Sequence, residues 1–262
     1  MSLRFFVLFC WLSLSSASFA QQEPVDIPFD DAALTATPIT ATGKISVRET
    51  VAANEVKSSW EENVDATNRS TKSILLLIGD FDAISSHSNG GTRLTMEYFF
   101  GDPISPGETF SLVKRSFVQD SCCMNPLRET HEPKATFRLV FVQFLDGSTF
   151  GDAAQAENAL ANRDRTLKAL RTLAQVTAKD KQRFQSELER ELRLDDTLGV
   201  FASIRETQEQ KGADAAIART YKILDSAEDY RDMTLHEGYI PCSASIRCTE
   251  LAYPVRLAIA SV

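Results

Sequence analysis

Thr92-Arg93-Leu94-Thr95-Met96-Glu97-Tyr98-Phe99-Phe100 decides the fold class of this 262-residue chain. Leu94, Met96, Tyr98 and Phe100 fall on one side, and Arg93, Thr95 and Glu97 on the other. Such a period of two is what a strand half buried in a sheet requires. Working outward, Lys44 to Ala52, Trp60 to Ala66, Ser73 to Ile84, Phe110 to Val118 and Thr136 to Leu145 read as further strands. The last carries Val and Phe on both faces, which predicts a central position. Turn residues punctuate the series at Asn68-Arg69-Ser70, Ser88-Asn89-Gly90-Gly91, Pro103 to Gly107 and Asp146-Gly147-Ser148. Short strands spaced this way predict an antiparallel sandwich over 44–151.

Beyond Gly151 the period becomes helical and stays so to about His236. Asp152 with Gln155 gives a start like a capping box, followed by Leu160, Leu167, Leu170 and Ala174. A second start at Thr177 with Asp180 precedes Phe184, Leu188 and Leu192. A third segment carries Leu198, Phe201 and Ile204 and ends at Gly212, a C-cap residue, and a fourth carries Ile217, Tyr221 and Leu224. Each stripe is one face wide, so the helices of this 152–237 subdomain must pack on one another or on the sandwich.

The two ends set the compartment. Met1 to Ala20 has a basic Arg4, an apolar run from Phe5 to Leu14 and the small residues Ser18 and Ala20 where a signal peptidase reads, so it predicts a signal peptide cleaved after Ala20. The apolar run is too short to span a bilayer, and bulky Phe9 before Cys10 argues against a lipoprotein signal. The protein is therefore expected to be secreted or periplasmic, with no membrane span after cleavage. Residues 21–43, rich in Ala, Thr, Pro and Asp, read as a flexible acidic leader, and 238–262 as a tail whose Pro254 to Val262 suits an edge strand. The formal charge is -8, and losing Arg4 leaves 27 basic against 36 acidic residues. An acidic balance without a basic cluster excludes nucleic acid as a partner.

Four cysteines remain after cleavage, Cys122, Cys123, Cys242 and Cys248. An even count in an oxidising compartment predicts disulfides, with three connectivities open. The competing use is a soft-metal site or enzyme centre built on Cys122, Cys123 and His131, joined by His236, because thiolate and imidazole suit zinc or copper. The spacings of a zinc motif are absent, so neither metal nor cofactor is expected. Asp80, Asp82, Asp146 and Asp152 are candidate calcium ligands only if the fold gathers them; Asp146 reads more simply as a hairpin residue and Asp152 as a helix cap. His87 lies in a serine-rich loop, and no nucleophile or metalloprotease motif accompanies it, so no catalytic residue is predicted. Asn68-Arg69-Ser70 matches the glycosylation acceptor pattern at a place where Asn also serves a turn.

The run Asn68-Arg69-Ser70-Thr71-Lys72-Ser73-Ile74, then Pro106-Gly107-Glu108, then Phe144 to Asp152, resembles immunoglobulin-like sandwich modules of uncharacterised secreted bacterial proteins. The resemblance implies a fold and carries no activity. The Cys and Trp core of antibody domains is missing here. The sequence thus points to an α+β chain, an antiparallel immunoglobulin-like β-sandwich followed by a C-terminal helical subdomain, working as a non-catalytic exported module that binds a protein or glycan or plays a structural part.

Overall fold

A computed structural model describes residues 23–52, 55–122, 131–194 and 198–237. The Met1 to Ala20 signal and the 238–262 tail lie outside the described residues. Among the described residues nine strands precede four helices: β1 (Val25–Ile27), β2 (Phe29–Asp30), β3 (Ile39–Ala52), β4 (Glu55–Asn68), β5 (Ile74–Ile84), β6 (Asn89–Glu97), β7 (Thr109–Cys122), β8 (Lys134–Phe144), β9 (Thr149–Gly151), α1 (Glu157–Lys179), α2 (Phe184–Arg193), α3 (Val200–Lys211) and α4 (Ala213–Glu237). One sheet has the order β1-β3-β4-β7; the other runs β2-β8-β5-β6, with β9 also on β8. Their inner faces share a core in which Ile45, Trp60 and Val64 of the first sheet meet Leu77, Phe81 and Phe137 of the second.

Strand β5 is buried on both faces. Ile74, Leu77 and Phe81 enter the core between the sheets. Leu76 and Ile78 instead pack with Val140, Phe141 and the start of the helical region at Ala156 and Ala159, while Leu75 meets Phe99, Leu167 and Ala227. Ile74 and Leu77 are three apart yet share a side, which a period of two forbids. A register shift between Ile74 and Leu76 supplies the extra residue. A second shift, between Ile78 and Gly79, does the same for Val140 and Phe141 on β8. Both bulges thus turn additional apolar side chains toward the helices. Gly79 lies under the Phe137 ring, whose nearest atom is 2.1 Å from where a Cβ would sit, so no larger residue fits there.

The helices form a third layer with a core of their own, including Leu170, Phe184, Leu188, Phe201 and Ile204. A buried ion pair fastens this layer to the sheet. Arg163 of α1 donates from Nε to Glu97 Oε2 at 3.0 Å, from Nη2 to Glu97 Oε1 at 3.0 Å, and from Nη1 to Gln143 Oε1 at 2.5 Å. Its guanidinium lies 4.5 Å from the centroid of the Phe99 ring, and the Phe99 amide also donates to Glu97. Burial raises the Glu97 pKa, outweighing the ion pair and hydrogen bonds from Arg163.

Several expectations need correction. The segment read as a flexible leader is built into the sandwich: β1 pairs with β3, β2 with β8, and Ile27, Leu34 and Ile39 are buried. Its elements are two or three residues long, too short to show a period, and their partners supply the order. The β2–β8 pairing is parallel, so the second sheet is mixed and not wholly antiparallel. Strand β6 stops at Glu97, and Phe100 leaves the Leu94, Met96 and Tyr98 face to pack among the helices. Asp152 accepts from the Ala154 amide as a cap, but Gln155 accepts from Arg93 and closes no capping box. Thr177 lies inside α1, where its hydroxyl donates to the Leu173 carbonyl, and Asp180 is the cap of the next turn. Gly212, at φ 87°, does end α3. Tyr221 is 36% exposed, at the rim of the α4 stripe.

Two measurements follow from this packing. Gly79→Ala is expected to cost about 3 kcal/mol in urea unfolding, as an overpacked core does, and Gly79→Ala with Phe137→Leu to cost less than the sum of the two single changes. For Glu97, the folded state holds its proton to higher pH than the unfolded chain. Its stabilising contribution is therefore full below the ordinary value of 4.5 and is lost as pH rises through the raised value. Wild type should accordingly lose stability relative to Glu97→Gln as pH is raised above 4.5; melting curves that differ by a constant amount would refute it.

Candidate functional site

Polar groups converge at the end of the sandwich where β5 turns into β6. Glu49 of β3 and Ser58 of β4 face each other in register, and both are buried on inward positions. The turn Ser85-Ser86-His87-Ser88 closes over them because Ser85 and Ser88 bond each other: Ser85 N–H donates to Ser88 O at 2.8 Å, and Ser88 N–H to Ser85 Oγ at 3.0 Å. Ser85 Oγ makes a short bond to Glu49 Oε1, Ser88 Oγ donates to the same oxygen at 3.2 Å, and the His87 amide reaches it at 3.4 Å. Ser58 Oγ donates in turn to Ser88 Oγ at 2.9 Å. The His131 amide then donates to the Ser86 carbonyl at 3.1 Å.

This cluster holds elements together. His87 meets Glu49 through its backbone amide, and its Nδ1 is buried with no hydrogen-bond partner, so its ring takes no part in the serine network. One carboxylate oxygen, taking three donors, ties β3 of one sheet to the hairpin of the other. Sequence reasoning missed it because Glu49 and Ser85 are 36 residues apart; the serine-rich composition of the turn was the signal.

The four candidate calcium ligands are not brought together. Asp80 is taken by Arg93 at 2.9 Å and Arg138 at 2.5 Å, its cross-strand neighbours on β6 and β8. Partial burial works to raise its pKa, but the two guanidinium groups prevail and lower it. Asp82 lies against Gly91. Asp146 bonds Lys72 and Ser148; those bonds outweigh burial and lower its pKa. Asp152 caps the helical region. Among the described residues no three His, Cys, Asp or Glu side chains gather to hold a metal. Cys122 ends β7 opposite Glu55, His236 lies in α4, and Cys123, Cys242 and Cys248 lie outside the described residues, as do the side chains of Cys122 and His236.

Asn68 is fully buried. Its Nδ2 faces the carbonyls of Lys72 at 2.8 Å, Ile104 at 3.1 Å and Ser105 at 3.2 Å, and its Oδ1 accepts from Ser70 N and Oγ. The amide nitrogen that a glycan would occupy is committed to the backbone, joining the β4–β5 turn to the segment before β7.

The outer face of the β1-β3-β4-β7 sheet carries a shallow cleft of about 640 Å³. Lys44, Ser46, Glu61, Asn63, Lys114 and Ser116 bound it. These are the outward members of alternating strands; their inward neighbours, such as Ile45, Trp60 and Val64, fill the core. Lys44 pairs with Asp26 at 3.5 Å, both being about 70% exposed. Such a pair contributes little to stability.

The chain is thus an α+β protein of two facing sheets followed by a helical layer. Compared with protein-family models, with curated proteins and with solved structures, it finds no match.

Replacing Asn68 with Ala should cost about 2 kcal/mol in chemical unfolding, since it removes a fully buried side chain that bonds Lys72, Ile104, Ser105 and Ser70, and chain exported from a glycosylating host should carry no glycan at this position by intact mass.

Proposed function

We propose that the chain is an exported, non-catalytic module with an immunoglobulin-like sandwich, and that it binds a polar protein partner on the open face of the β1-β3-β4-β7 sheet. The order β3-β4-β7 facing β6-β5-β8-β9 supports the immunoglobulin-like reading, because the chain crosses between sheets after β4, after β6 and after β7. Export rests on the Arg4, Phe5 to Leu14 and Ala20 pattern.

The asymmetry of the two outer faces carries the binding reading. Helices cover one, and the other keeps a cleft with cations Lys44 and Lys114 and anions Asp26 and Glu61. No aromatic ring borders it. Small-ligand sites are ordinarily concave and lined by apolar and aromatic side chains, and a shallow charged face suits the surface of a polar protein better. No helix among the described residues is long and apolar enough to cross a membrane.

The test is a photo-reactive residue at position 63, introduced in place of Asn63 in cells that export the chain. A discrete protein adduct is expected, lost when Lys44→Glu and Glu61→Lys are added, together with a mature N-terminus at Gln21. Cytoplasmic chain retaining Met1 would refute export. Turnover of ester, peptide or glycoside substrates that Ser85→Ala abolishes would refute the non-catalytic reading, and no adduct at any exposed position of this face would refute the binding surface.

A further inference from the structure

Strand β7 is hydrogen-bonded by β4 along one side over its whole length. No other described strand pairs with its second side. An exposed edge of this kind is a template for another strand, and proteins usually blunt it with a bulge, a proline or charge. Here the register shift opposite Val64/Asp65 puts one extra residue, Leu112, near the start of β7, and from Val113 to Cys122 the register is unbroken. Ser116 to Asp120 contains neither proline nor lysine. Val118, in the middle of it, is 58% exposed, the most exposed large apolar side chain of the sandwich.

The charges on this strand are self-complementary. Lys114 and Asp120 stand three residues either side of Phe117, on the same outer face as Ser116 and Val118. We infer that β7 pairs antiparallel with β7 of a second copy, centred on Phe117. That register sets Lys114 opposite Asp120 of the partner subunit twice, Ser116 opposite the partner's Val118, and Arg115 opposite the partner's Gln119. Opposite charges directly across an antiparallel pair are favourable. A parallel, in-register pairing sets like charges against each other and is disfavoured. A register centred on Val118 sets Ser116 against Asp120 and loses the match. Lys114 has no ion partner among the described residues. Asp120 has only Lys57 at 3.9 Å, both ends at least two-thirds exposed, a contact weak enough to be exchanged. The interface is isologous, so it closes as a dimer and does not propagate. It joins two four-stranded sheets into one of eight, with the two open faces side by side.

Sedimentation equilibrium of the exported chain tests this. Wild type is expected to run at twice the chain mass, and Lys114→Asp and Asp120→Lys each to run as monomers with unchanged melting, both side chains being exposed. Mixed in equal amounts, the two variants are expected to recover the dimer, because each restores the other's opposite charge at both positions. Carbodiimide treatment of a mixture of isotopically light and heavy wild type gives a second readout, independent of any variant: a Lys114–Asp120 amide between light and heavy peptides. A wild type that stays monomeric at millimolar concentration, a dimer indifferent to both substitutions, variants that fail to recover on mixing, or a cross-link confined to peptides of one isotope would overturn the pairing.

Discussion

Leu75, Leu76, Leu77 and Ile78 are all buried, in a strand whose successive side chains point to opposite sides. A strand with two apolar faces must be covered twice, and the layered build follows from that requirement. One cover is the β1-β3-β4-β7 sheet through Trp60 and Val64; the other is the helical layer through Ala156, Ala159 and Leu167. The bulges at Leu75 and Val140 serve the same end, recruiting two further apolar residues to the helix side without shifting Phe81 and Phe137 from the core. Detaching the helices would leave Leu76, Ile78, Val140 and Phe141 in water. At about 1.5 to 3 kcal/mol for each such side chain, the helical region is an integral layer and not an independent appendage.

Polar residues in the interior act as fasteners between pieces that apolar packing alone would let slide. Arg163 and Glu97 join α1 to β6, with Gln143 of β8 as third member. Glu49 joins β3 to the β5–β6 hairpin, and Asn68 joins the β4–β5 turn to the approach of β7. Burial penalises Glu97 enough to raise its pKa even beside Arg163. The desolvation of such a buried pair offsets much of its attraction, so its geometric role, holding α1 against β6 and β8, stands out over its net stabilisation. Arg171 and Glu228 repeat the bidentate arrangement between α1 and α4 in a wetter place. There hydrogen bonding from Arg171 prevails over burial, and the Glu228 pKa is lowered.

Much of the layer structure was legible because long elements bury one face. Leu94 and Met96 marked β6, Phe184 and Leu188 marked α2, and Gly212 marked a helix end through backbone chemistry that no tertiary contact alters. The failures share another cause. Ile27 and Leu34 sit in elements too short to carry a period, so only their partners on β3 and β8 reveal them. The exposed position of Tyr221 depends on which neighbour α4 meets, a matter of packing and not of spacing. Within the candidate sites the turn chemistry of Asn68 and Asp152 could be read locally. The Glu49 cluster could not, since its members come from two strands, β3 and β4, and the β5–β6 turn, and become neighbours only when the two sheets close.

The parallel pairing of Phe29 with Ala135 and of Asp30 with Thr136 has a bearing on the order of assembly. Contacts across about a hundred residues form late, because the loop between them must first be closed. As the chain is made from its N-terminus, Phe29 and Asp30 find their lasting partner on β8 only after most of the sandwich has emerged. A chain cut short before Lys134 is left without the strand that β2 and β5 both require.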